Sequence, residues 1–260
     1  MKQRFATLTA GLSAPRPMRD PEASFELLRI WRDIAPDTFP DRLDVQEPIR
    51  APIDPDRIED SRVKEFGVAW YATRRHPDLL FIFLRGAPQH HASIRLFLYD
   101  APTPHLVEAI SGLIDAWADH LAPDYGMVHA LSSTERVEAT AEWRADVEAD
   151  LTGGHVQWGF APELRRGLPT LYWRNLLGRP YVDLIGRAAL LSAPAFSVEE
   201  RTWGIRLQLT SELPTDRTFD AFRSTRERVM DHVGRRFFIS SASDALALPR
   251  FVWLEKPDST

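Results

Sequence analysis

Apolar residues recur along this chain in two periods, and their alternation predicts an α+β fold. From Pro21 the spacing is helical, with Phe25, Leu28, Ile30, Trp31 and Ile34 on the buried side. Asp20-Pro21-Glu22 opens that helix with an N-cap, a first-turn proline and an acid at the positive end of the dipole. Pro36, Pro40, Pro48, Pro52 and Pro55 then forbid long regular structure, so 36–60 reads as an extended, anionic surface loop. Phe66 to Ala72, Leu79 to Leu84 and Ser93 to Tyr99 are rich in aromatic and branched residues. Pro77-Asp78 and Gly86-Ala87-Pro88 punctuate them, which predicts an antiparallel meander. Thr103-Pro104 caps a long amphipathic helix through Leu106, Val107, Ile110, Leu113, Ile114, Trp117 and Leu121, long enough to cover one face of the sheet. Gly126 to Leu131 reads as a strand. Ser133-Thr134-Glu135 starts a second helix to about Leu151, closed by Gly153-Gly154.

In the second half, Thr170 to Trp173 reads as a short buried strand and Asn175 to Gly178 as a turn. Pro180 starts a helix whose Tyr181, Leu184, Ile185 and Ala188 share a face, with Gly186 inside it at a cost of about 1 kcal/mol relative to alanine. Ala195 to Glu200 and Trp203 to Thr210 form a hairpin around Arg201-Thr202. A helix introduced by Thr215-Asp216 carries Phe219, Phe222, Val229, Met230 and Val233 and stops at Gly234. Arg236 to Ser240 reads as a closing strand, and Phe251 to Leu254 as a further edge.

The expected fold class is therefore α+β, with antiparallel sheet covered by helices. Both halves follow the order helix, hairpin, helix, strand. This suits either two similar α-β-β-α-β halves, divided as 1–152 and 153–260, or one continuous domain. The similarity is of element order, not of residues.

Composition removes several classes of function. Cysteine is absent, which excludes disulfides, thiol nucleophiles and cysteine-based zinc sites. The net charge of −5 argues against a general nucleic-acid binder and leaves room for a basic protein partner. Lys2, Lys64 and Lys256 are the only lysines, so arginine dominates the basic residues, a bias that suits bidentate ion pairs and that a GC-rich genome would also produce. No stretch approaches the roughly 20 apolar residues that span a bilayer, and residues 1–15 read as an ordered or frayed N-terminus rather than an export signal. A cytoplasmic protein without membrane contact is expected.

Catalytic signatures are missing. There is no phosphate-cradling glycine loop, no GxSxG elbow and no HExxH; Gly153-Gly154 is a turn. No cofactor is called for. Two sets of side chains could hold a metal: His90-His91 between strands, and Asp115, Asp119 and His120 on one helix, where paired carboxylates with an imidazole could also serve a hydrolase. Solvated loop histidines and the polar back of a packed helix explain the same residues. Trp70, Trp117, Trp173 and Trp203 occupy packing positions, with indole N–H groups that need local acceptors. Trp143 and Trp158 are less easily placed, and either could anchor an interface, including one between copies of a self-associating scaffold.

The strongest surface signal lies between Thr134 and Leu151. Glu138, Glu142, Asp146 and Asp150 fall at intervals of four, with Glu135 on the same side, and Arg136 and Arg144 alone offset them. Like charges so spaced destabilise an isolated helix by a few tenths of a kcal/mol per pair, roughly. Val137, Ala141, Val147 and Leu151 lie opposite, so this helix can dock while its acids face outward. A solubilising face has the same pattern. A single-sign ridge also steers a basic partner, which makes Glu135, Glu138, Glu142, Asp146, Asp150 and Trp143 the candidate partner contacts.

The run LPTLYWRNLLGRPYVDLIG, with Tyr172-Trp173, Asn175, Gly178, Pro180-Tyr181-Val182 and Ile185-Gly186, resembles a segment of bacterial immunity proteins from polymorphic-toxin and type VI secretion systems (T6SS). The immunity protein 52 family is the nearest in look, with the type VI immunity family for VRR-NUC toxins beside it. Agreement is best over Gly159 to Leu209. The resemblance implies a non-enzymatic α+β protein that binds a cognate toxin, often a nuclease, and blocks its active site or an essential surface. It carries over no catalytic residue, and Trp173 and Gly178 would be scaffold. Stoichiometry and oligomeric state stay open at this point, as does a metal-dependent hydrolase on Asp115, Asp119 and His120.

Overall fold

The computed structural model describes residues 6–14, 21–45, 48–61, 69–84, 92–130, 132, 135, 167–168 and 170–238. The chain divides into two compact units, Met1–Val128 with Arg201–Trp203, and His129–Glu200 with Gly204–Thr260. The boundary expected at 152/153, the helix to Leu151 beyond Glu135, and the edge at Phe251 to Leu254 lie outside the described residues.

Among the described residues of the first unit, seven strands stand in the order β3-β2-β4-β5-β6-β1-β7. They are β1 (Leu8–Ala14), β2 (Arg42–Asp44), β3 (Ala51–Pro52), β4 (Ala69–Arg74), β5 (Leu79–Leu84), β6 (Ala92–Leu98) and β7 (Tyr125–Ala130). The expected meander is present: β4 pairs antiparallel with β5 and β5 with β6, with Phe81 facing both Ala72 and Leu96. Alternation along β6 is complete, with Ala92, Ile94, Leu96 and Leu98 buried and Ser93, Arg95 and Phe97 half-buried. Two helices, α1 (Pro21–Ile34) and α2 (Pro104–Leu121), deliver Trp31 and Trp117 to the buried face, where they meet edge-on at 5.5 Å and both pack on Phe81. Aromatic pairs at such angles add about 0.5–1.5 kcal/mol each beyond the area they bury. Each indole has an acceptor: Trp31 Nε1 donates to Thr38 Oγ1, Trp70 to Ser24 Oγ and Trp117 to the Leu27 carbonyl.

Thr103 caps α2 through its side chain, as its sequence predicts. The face of α1 is rotated from expectation: Ser24, Phe25, Leu27, Leu28 and Trp31 are buried, whereas Ile30 is half-buried and Ile34 is 49 % exposed. Ser24 enters the core because Trp70 requires its hydroxyl. Residues 36–60 are not one extended loop. Two short 3-10 turns (Pro36–Thr38 and Pro55–Asp60) and the pair β2–β3 use the prolines as element starts and as a sheet edge, burying Phe39, Leu43, Ile53 and Ile58. The strand β1 was not expected. It lies between β6 and β7 with every residue buried, pairing antiparallel with β6 from Leu8 opposite Leu98 to Ala14 opposite Ala92.

The second unit contains β8 (Arg174–Gly178), α3 (Arg179–Ile185), α4 (Arg187–Leu191), β9 (Ser197–Arg201), β10 (Gly204–Gln208) and α5 (Phe219–Val233), with strand order β8-β10-β9. The expected strand at 170–173 and turn at 175–178 are displaced: the strand is 174–178, and Thr170 to Trp173 lead into it. Asn175 explains the difference. Its amide accepts from the Tyr172 N–H and donates to the Tyr172 carbonyl, both at 2.8 Å, so the side chain pairs with residue 172 as a neighbouring strand would. Gly186, at φ +101°, breaks the expected single helix into α3 and α4, which leaves Tyr181 and Ile185 buried but Ala188 exposed. The hairpin stands where predicted; α5 starts at Phe219 behind Thr218 rather than at Thr215-Asp216, and all five apolar residues named for it are buried. Instead of a strand from Arg236, a 3-10 turn (Arg235–Phe237) leads to a parallel bridge between Phe238 and Leu168.

Candidate functional site

The chain leaves β7 at its last two residues, His129 and Ala130, and within five positions reaches Glu135, in helical conformation. This short passage carries a buried polar cluster. Ser132 and Glu135 make a reciprocal capping box: the Glu135 N–H donates to Ser132 Oγ at 3.1 Å, and Glu135 Oε2 accepts from the Ser132 N–H at 3.0 Å. Ser132 Oγ also lies 3.0 Å from Oε2. The other oxygen, Oε1, lies 3.1 Å from His129 Nε2 and 3.3 Å from Arg226 Nη1. His129 Nδ1 accepts the Trp173 N–H at 3.2 Å, which places the ring proton on Nε2, pointing at Glu135. The imidazole packs between Tyr172 and Phe222, each with a centroid 5.4 Å away, and the Arg226 guanidinium lies over Phe222 at 5.3 Å.

His129 is 1 % exposed and Glu135 4 %. Burial alone would push the Glu135 carboxyl up. The hydrogen bond from His129, the Ser132 N–H and the Arg226 charge outweigh burial and hold it below the usual glutamate range. All four acceptor positions of the carboxylate are thus engaged, and both imidazole nitrogens are used. The cluster ties β7, Ser132 and α5 to one buried charge.

Sequence spacing put Glu135 on the outward ridge; the structure turns it inward. The remaining candidate contacts, Glu138, Glu142, Trp143, Asp146 and Asp150, lie outside the described residues, as do Trp158 and His90-His91. The set Asp115, Asp119 and His120 does not converge. Asp119 accepts the Trp203 indole N–H at 2.9 Å and stands 3.8 Å from Arg201, while Asp115 is half-buried and His120 is exposed. Among the described residues no group of three or more His, Cys, Asp or Glu could hold a metal ion. Trp70, Trp117, Trp173 and Trp203 are all buried with acceptors for their N–H groups, as expected; that of Trp173 is the Thr210 carbonyl.

One further hydroxyl–imidazole pair resembles a nucleophile with its base. Ser192 Oγ lies 3.0 Å from His232 Nε2, but Nε2 also contacts the Ala189 carbonyl at 3.2 Å and Ser192 Oγ lies 2.9 Å from the Ala188 carbonyl. Both side chains satisfy the orphan carbonyls at the end of α4. Sequence reasoning found Glu135 but missed its partners His129, Ser132 and Arg226. The S-x-x-E spacing of a capping box was the available signal for Ser132; nothing local marks Arg226.

The architecture is that of an α+β protein built on antiparallel sheet. It is similar to the solved structure of Pseudomonas aeruginosa T6SS protein PA0821, with a TM-score of 0.54 and 14% sequence identity, covering 98% of this chain and 84% of that one. No protein-family model matches the chain, and no curated protein matches it in sequence. Among the described residues no helix is long and apolar enough to cross a membrane.

Proposed function

We propose that this chain is a cytoplasmic immunity protein that binds a cognate secreted bacterial toxin, a nuclease in the most specific form of the reading, and neutralises it by covering its active surface. The observation that carries the reading is the likeness of fold, along nearly the whole chain, to a protein named for the T6SS. The run from Leu168 to Gly186, with its resemblance to immunity families, supports the same reading independently. The protein acts without catalysis, metal or cofactor, through shape and negative potential. Its acids Glu138, Glu142, Asp146 and Asp150 steer a basic toxin surface and occupy the place of phosphate charge. Nucleic acid and membrane are not partners.

The test is co-expression with the product of the neighbouring reading frame. A stoichiometric complex, relief of that product's toxicity, and affinity that falls with rising salt are expected. Glu138→Lys, Glu142→Lys and Asp146→Lys together should reduce the association rate at least about tenfold at low salt. Unchanged protection by the triple variant removes the acids from the interface. Turnover of a substrate by the purified chain alone removes the immunity reading altogether.

A further inference from the structure

Strand β9 (Ser197–Arg201) ends the second unit's strand order β8-β10-β9, and none of its five residues is fully buried, whereas β8 buries Asn175, Leu176, Leu177 and Gly178. Phe196, immediately before β9, is 62 % exposed, while its N–H donates to the Leu209 carbonyl at 3.2 Å and so pins its backbone beside the end of β10. We propose that β9 is a docking edge, on which an extended segment of the cognate partner adds as a further strand and covers the Phe196 ring. This rests on the reading of the chain as a toxin-binding protein, and not on the acids at 138–150.

An edge strand presents a row of backbone N–H and C=O groups whose spacing another extended chain matches, so the row itself selects a strand over a helix. Proteins that keep such an edge to themselves shorten it, break it with proline or set unpaired charges along it. The terminal strand of the first unit uses the first two devices: β3 is two residues long and ends on Pro52. Strand β9 is five residues long without proline, and its charges are engaged within the chain: Glu199 by Arg206 on β10, Glu200 by Arg187 Nε on α4 at 2.6 Å, and Arg201 by Asp119 at 3.8 Å. Carboxylates so neutralised neither repel an incoming strand nor demand basic residues from it. What is left to offer is main chain and the exposed Phe196 ring. The segment that fits is therefore extended, brings an apolar side chain to Phe196, and holds on with little dependence on salt.

Amide hydrogen exchange and binding, measured on the full chain with the purified neighbouring product, test the edge. Complex formation should slow exchange over Ser197–Arg201 on the order of tenfold or more. Phe196→Ala should weaken binding at least about tenfold, by the same factor at low and high salt, and Val198→Lys, which sets a lysine on the edge, should weaken it too. Leu176 and Leu207 in the β8–β10 pair, exchanging as in the parent, show that both variants fold. A complex that leaves 197–201 unprotected, or that Phe196→Ala forms as tightly as the parent, overturns the docking edge and leaves the toxin-binding reading standing. Protection of 197–201 that arises in the protein alone and grows with its concentration puts a second copy on β9 and overturns the proposal as well. If the neighbouring product forms no complex at all, the toxin-binding reading falls and the docking edge falls with it.

Discussion

Glu135→Gln keeps the shape of the side chain and changes only what its end can accept. The site presents four donors: His129 Nε2–H, Arg226 Nη1–H, and the N–H and hydroxyl of Ser132. A glutamine offers one acceptor oxygen, and its NH2 must face two of those donors in either orientation. With the oxygen toward Ser132, the imidazole N–H and the guanidinium lose their acceptor. Flipped, the amide opposes the Ser132 N–H and the capping box breaks. A buried donor left unpaired costs about 1–3 kcal/mol, and loss of a partner for a mostly buried cation adds to it. Removing a buried charge returns part of that cost, so the net loss should be about 2–4 kcal/mol. In a protein of this size each kcal/mol moves Tm by about 2–4 °C, which predicts a fall of about 4–16 °C at pH 7. The pH dependence has a definite sign. Because the folded state holds Glu135 below its usual range, its stabilisation is fully present above the unfolded value of about 4.3 and is lost as pH falls through the folded value. Thermal unfolding of both proteins should therefore show a Tm gap that is constant near neutrality and narrows in acid below about pH 4. A variant within about 0.5 kcal/mol of the parent at pH 7 would refute the four-donor account.

Asn175→Asp replaces the N–H that donates to the Tyr172 carbonyl with a second acceptor in a fully buried site, and denaturant unfolding should show a loss of about 3 kcal/mol or more at neutral pH. Gly204 stands opposite Gly178, and a Cβ there would lie 2.1 Å from the Leu177 carbonyl oxygen, so Gly204→Ala must push β10 off β8. A loss of about 2–4 kcal/mol in thermal unfolding is expected, against near neutrality if the pair can spread. Thr103→Ala removes the side-chain acceptor for the Leu106 N–H, a bond of 3.3 Å, and should cost about 0.5–1 kcal/mol with no change in fold by circular dichroism.

What could be read from the sequence follows which forces acted locally. The helix caps at Thr103 and Gly234, the meander of β4 to β6 and the tryptophan core depend on periodicity and turn residues, and they stand as expected. Strand β1 escaped because burial on both faces removes the alternation that marks a half-buried strand, and LTAGLSA has too few large apolar residues to stand out. The displacement around Asn175 arose because a buried amide can imitate a paired backbone, whereas Asn followed by Gly three residues on looks like a turn. At the candidate site the ridge spacing grouped Glu135 with the acids that follow it and carried no sign that Glu135 turns inward. Arg226, 91 positions from Glu135, decides that, and a long-range pair of this kind has no local signature.

Strand β1 also bears on how the protein is made. Thr7, at its head, hydrogen-bonds to Leu98, 91 residues further along the chain. At ribosomal speeds the interval between the two emerging is on the order of ten seconds, and through it an apolar segment waits with no neighbour to cover it. Newly made chains should accordingly depend on holdase chaperones during translation far more than finished chains do on refolding assistance, since β1 cannot pair until β6 has been made.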